Sequence, residues 1–136
     1  MMNKREEELK DHLVEMMIDI VEAMETSGAD AKLLITLSVG GLLISGKVIR
    51  EEQYMARFLD GSVQEIINKA VKSGKLELPP TKKAHDFIHL ADARFFSPGN
   101  LPIPSEGGVL WRGKISAIDG FTLGELREGV RGASQQ

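Results

Sequence analysis

Residues 33–49 read Leu33-Leu34-Ile35-Thr36-Leu37-Ser38-Val39-Gly40-Gly41-Leu42-Leu43-Ile44-Ser45-Gly46-Lys47-Val48-Ile49. Two apolar runs meet at a glycine pair, and Gly40-Gly41 supplies the positive φ angles that a two-residue hairpin turn requires. With that turn the register is fixed. Val39 faces Leu42, Leu37 faces Ile44, Ile35 faces Gly46 and Leu33 faces Val48 on one side. Thr36 meets Ser45, Ser38 meets Leu43 and Leu34 meets Lys47 on the other. One side is almost wholly apolar and the other mixed, as in strands that lay a single face on a core. Gly46 opposite Ile35 marks a place where the strand can bend. The stretch is interrupted by polar residues and glycines and is shorter than the ~20 apolar residues of a membrane span, so no membrane partner is expected.

Working outward, residues 5–26 form a helix. Leu9, Leu13, Met16, Met17, Ile20, Val21 and Met24 recur at helical steps and are expected to form its buried stripe, either in the core or as a self-association seam. Glu6, Glu7 and Glu8 favour its N-terminus, and Gly28 closes it. After the hairpin (31–50) the period changes. Tyr54, Met55, Phe58 and Leu59 make a short helical face ended by Asp60-Gly61. Ser62 with Glu65 fits a capping box ahead of Val63, Ile66, Ile67, Ala70 and Val71. Residues 51–74 are thus a helical insertion, and the stretch around Pro79-Pro80 an exposed connector. Strands return at 85–126: His85–Phe96, then Val109–Ile118 after a Pro/Gly-rich loop, then Phe121–Leu126 after the Asp119-Gly120 turn. A single domain over 1–128 with a flexible tail at 129–136 is expected. The fold class is α+β: a small, strongly bent antiparallel sheet or barrel of about five strands, with an N-terminal helix and a helical insertion between the second and third strands.

Composition sets limits on function. The chain has 136 residues, 17 basic and 20 acidic, and no cysteine. Thiolate metal sites, disulfides and cysteine nucleophiles are excluded. The net charge of -3 gives no basic field for nucleic acid, so a nucleic-acid partner is not expected. Residues 1–30 hold three basic and nine acidic residues, which leaves the remaining chain mildly positive. The charged start shows no secretory signal, and a cytoplasmic location is expected.

Chemical motifs are few. Gly41 to Lys47 has the G-x-x-x-x-G-K spacing of a phosphate loop, but it is itself a strand and Val48 stands where Ser or Thr is needed. His85 and His89, with Asp86 and Asp92, suggest metal ligands. On a strand, however, the two histidine backbones lie about 13 Å apart, and His12 is the only other histidine. Ser38, Ser45 and Ser105 lack a nucleophile setting. No enzyme, metal or cofactor is expected. Trp111-Arg112-Gly113-Lys114, with Phe121 beyond the next turn, is the best partner-binding candidate. The alternative places Trp111 and Ile115 in the core, with Arg112 and Lys114 outward. Gly40, Gly41, Gly46, Gly113, Asp119 and Gly120 are read as turn or bend residues.

Three blocks carry a resemblance: residues 34–49, then Phe87-Ile-His-Leu-Ala-Asp-Ala-Arg94, then Trp111-Arg-Gly-Lys-Ile-Ser-Ala-Ile-Asp-Gly-Phe-Thr-Leu-Gly124. Together they resemble the gas vesicle accessory protein U family. The resemblance implies a non-enzymatic cytoplasmic protein, associated with gas vesicles, that binds the vesicle shell protein or itself and modulates assembly or clustering. A more distant likeness, to the Sm-like barrel, implies a homo-oligomer formed through strand edges and, as an alternative function, RNA binding.

Overall fold

The computed structural model describes residues 3–59, 61–75 and 85–127. Its helices are α1 (Lys4–Thr26), α2 (Glu51–Phe58) and α3 (Gly61–Lys72). Its strands are β1 (Leu34–Val39), β2 (Leu42–Ile49), β3 (Phe87–Phe96), β4 (Val109–Lys114) and β5 (Gly120–Leu123). The strands form one antiparallel sheet in the order β4-β3-β2-β1-β5. Of the two sheet forms expected, the chain adopts the open one. Asp60, the Pro79-Pro80 connector and the expected tail lie outside the described residues.

The hairpin register is the one that the glycine turn dictates, with Val39 opposite Leu42 and Leu37 opposite Ile44. Gly40 and Gly41 take φ angles of 58° and 85°. Asp119 locks this turn: its Oδ2 accepts from the Gly40 N–H at 2.9 Å, and its own N–H donates to the Ser38 carbonyl at 2.8 Å. The turn of β1–β2 and the entry to β5 are therefore one unit.

On the apolar face Ile35, Leu37, Ile44, Val48, Ile88 and Leu90 form the core with Val14, Ile18 and Val21 of α1. On the opposite face Thr36 and Ser45 are buried, their hydroxyls 3.0 Å apart. Residues 124–126 close over them. Thr36 donates to the Gly124 carbonyl at 2.8 Å, and the Leu126 N–H donates to Ser45 Oγ at 2.8 Å. Each buried hydroxyl thus has its partner.

Helix α1 starts where Asn3 accepts from the Glu6 N–H, and the backbone reverses at Gly28. Its orientation corrects the sequence reading. Leu9, Leu13, Met16, Ile20 and Met24 are exposed, whereas Val14, Ile18 and Val21 are buried and Met17 is half-buried. At about 100° per residue the apolar side chains span an arc of roughly 200°, wider than one sheet face can cover. Lys10 helps to set which half turns inward. It is only 7% exposed, donates to the Ile115 carbonyl at 3.0 Å and pairs with Asp11 at 2.6 Å.

The fourth strand also ends earlier than expected. It stops at Lys114, and Ile115–Ala117 form a 3-10 turn. Ile115 and Ile118 both point into the core, which a continuing strand would not allow for residues three apart. β3 begins at Phe87 rather than His85, and β5 runs over Gly120–Leu123, shifted toward the turn relative to the expected Phe121–Leu126.

Gly113 has a steric role. A Cβ built there would run into the Trp111 indole, so only glycine lets the ring lie along the strand. Gly113→Ala is expected to cost about 1–3 kcal/mol through forced repacking, read as a lower melting temperature with a shifted Trp111 emission. Gly120→Ala, where an added Cβ meets nothing within 4 Å, should leave both unchanged.

Candidate partner-binding face

Because β3 alternates, Ile88 and Leu90 enter the core while Phe87 and His89 face the other way. β4 pairs Arg112 with His89 and Lys114 with Phe87, which brings two cations beside two rings. The Arg112 guanidinium carbon sits 3.7 Å from the Phe87 ring centroid. Its Nε donates to His89 Nε2 at 3.1 Å, so that ring nitrogen is the acceptor and the proton belongs on Nδ1.

Helix α2 leaves β2 directly after Ile49 and packs back against β3. It carries Tyr54 onto the His89 imidazole, with centroids 4.8 Å apart, and Phe58 stacks on Tyr54 at 5.7 Å. The outcome is a band of rings, Phe58, Tyr54 and His89, that continues into the Arg112–Phe87 stack on an edge strand. Phe58 is 53% exposed at its outer end. Among the described residues no hydrogen bond engages the terminal nitrogens of Arg112. Such a surface can take a carboxylate and an apolar side chain of a partner together.

The four residues singled out from sequence are divided between two environments. Arg112 and Lys114 are exposed members of this band. Trp111 and Phe121 are half-buried and pack against the core, with Phe121 opposite Leu37. Gly40, Gly41 and Asp119 sit at the hairpin tip, and Gly113 lies beneath the indole. Gly46 stands at the β2 irregularity, where a Cβ would come within 3.1 Å of the Ala91 carbonyl, and Gly120 opens β5. Of these rings the sequence pattern offers only His89, and that as a metal-ligand candidate; Phe87, Tyr54 and Phe58 are not identified as site residues. The pairing of His89 with Arg112 is a cross-strand fact, and spacing along one strand does not reveal it.

An open groove of about 510 Å³ adjoins the band, lined by Asp11, Glu15, His85, Asp86, Phe87, Lys114, Ile115 and Ser116. At its side His85 Nε2 lies 2.9 Å from Asp19 and 3.4 Å from Glu22. These three are the described residues with donors close enough to gather around a cation. Burial raises the Glu22 carboxyl above its ordinary range, against the pull of His85.

His89 is 5% exposed. Burial first, then the Arg112 charge, push its pKa down from 6.5 to about 4. The unfolded chain takes up this proton near 6.5 and the folded chain only near 4. The contribution is complete above that upper value and is lost as the pH falls through the window. A loss of up to roughly 2–3 kcal/mol is expected from this group. His89→Gln should flatten the difference in stability between pH 7 and pH 4 in denaturant titrations.

No curated protein and no solved structure matches the chain. A family model does: Gas vesicle protein GvpU-like, over residues 11–126, from the first turns of α1 to just beyond β5. The match includes the whole sheet, the band and the groove, and the chain belongs to the GvpU-like family of gas vesicle proteins.

Proposed function

We propose that this protein is a non-enzymatic gas vesicle accessory protein, working in the cytoplasm beside the vesicles, that binds the shell protein and thereby modulates vesicle assembly or clustering. The observation that carries the shell contact is the Arg112 guanidinium on Phe87, continued by His89, Tyr54 and exposed Phe58. A cation held against rings is already partly stripped of water and loses little side-chain freedom when a partner carboxylate arrives. The neighbouring Lys114 adds to the attraction, and Phe58 supplies apolar area. Family membership supports the vesicle as the setting. No enzymatic chemistry is needed for this role.

Flotation tests it. Purified protein mixed with isolated gas vesicles is expected to rise with them saturably, to do so after RNase treatment, and to be released by salt. The Arg112→Ala, Lys114→Ala double variant should retain its fold and lose at least tenfold in apparent affinity for the buoyant layer. Unchanged co-flotation of that variant would remove this face from the shell contact. Protein left wholly below the layer would overturn shell binding.

A further inference from the structure

Two carboxylates of α1 converge on a single imidazole nitrogen. Asp19 and Glu22 stand three residues apart, on one side of the helix. His85, two residues before β3, places its Nε2 2.9 Å from Asp19 Oδ1 and 3.4 Å from Glu22 Oε1. A proton on that nitrogen can be donated to one of the two oxygens, and the shorter distance gives it to Asp19. Glu22 is left facing the same atom without a hydrogen of its own, and no other described residue forms an ion pair with it. Its surroundings do not relieve it. Burial raises its carboxyl first, and Glu52 and Asp19 add to the rise against the pull of His85 and Arg50.

We propose that Asp19, Glu22 and His85 bind a first-row transition dication of the zinc class, which takes the place of the proton they share. One proton satisfies one carboxylate here, whereas one such ion satisfies all three donors and releases the proton to solvent. The spacing suits it. Ligands about 2.1 Å from the ion lie roughly 3.0 Å apart along an octahedral edge and roughly 3.4 Å along a tetrahedral one. Both distances from His85 Nε2 fall in that range, and the three donor atoms all lie within 4.8 Å of one another. The donor set selects the ion. Oxygen ligands alone would suit calcium or magnesium, whereas an imidazole beside two carboxylates favours zinc, cobalt or nickel. Asp19 is 67% exposed, so water can complete the coordination. Nine acidic against three basic residues over 1–30 draw cations toward this helix. Asp19 and His85 are 66 positions apart, so the bound ion clips α1 to the entry of β3 and closes a long stretch of chain. Occupation of this site requires nothing of Arg112.

Calorimetric titration of the metal-free, full-length protein with zinc chloride tests the proposal. One ion per chain is expected, with a melting temperature that rises saturably as zinc is added and far less with the same concentration of magnesium. Cobalt should titrate to the same stoichiometry and give the visible absorption of a mixed nitrogen and oxygen site. His85→Ala, Asp19→Asn and Glu22→Gln each remove one donor. Each should keep the wild-type circular dichroism and lose about tenfold or more in zinc affinity. If one of them does not fold, the other two decide. His12→Ala, at an exposed histidine elsewhere on α1, should bind as the wild type does. Three results would overturn the proposal: no saturable zinc binding, binding that His85→Ala leaves intact, or a magnesium effect equal to that of zinc. The second would place the ion on other residues, and the third would reduce the site to an acidic surface that gathers any dication.

Discussion

The alignment of β1 against β2 is the constraint on which the remaining structure rests. Antiparallel strands have a period of two, so a slip of one residue would send Ile35, Leu37, Ile44 and Val48 to the outer face and bring Thr36 and Ser45 inside. Three local features prevent it. The glycine pair sets a two-residue turn, Asp119 binds the tip of that turn, and the Thr36–Ser45 hydroxyl pair closes under residues 124–126. Every other strand takes its position from this pair: β3 lies along β2 and β5 along β1. The band built on β3, β4 and α2 inherits its geometry from the same alignment, because β3 pairs with β2 and β4 with β3.

Sidedness is the second theme. The apolar face of the sheet receives α1, whereas the other face receives α2 near β3 and the 124–126 segment near β1. Placing a histidine beneath Tyr54 and beside a guanidinium keeps it uncharged, and an uncharged imidazole can accept the Arg112 N–H. Among the described residues the arginine is thereby fixed without a carboxylate partner that would cancel its charge. A cation so held remains available to an external anion.

How far the sequence discloses this arrangement varies from place to place. The hairpin was legible to the residue, because turn chemistry and alternation give the same answer. The extent of α1 was also legible, from the acidic first turn and Gly28, but its buried side was not. Leu9, Leu13 and Ile20 are as apolar as Val14 and Ile18, and the tie between Lys10 and the Ile115 carbonyl joins residues 105 positions apart. The end of β4 was hidden because Ile115 and Ile118 fit a strand pattern as well as they fit a 3-10 turn. Arg112 and Lys114 could be picked out beside a lone tryptophan. Their actual neighbours, Phe87, His89 and Tyr54, come from another strand and from a helix crossing it, which a one-dimensional pattern does not encode.

The division of α1 into an inward and an outward arc also bears on how this chain can vary over evolutionary time. Substitutions at Val14, Ile18 and Val21 are filtered by folding, since each fills a site with no solvent access to spare. Those at Leu9, Leu13, Met16, Ile20 and Met24 are filtered less, because each residue keeps 38–58% of its surface in solvent when the domain is folded. One helix thus carries two independent records, one of the domain and one of whatever the domain meets. The second can drift, specialise or be re-targeted while the first stays fixed.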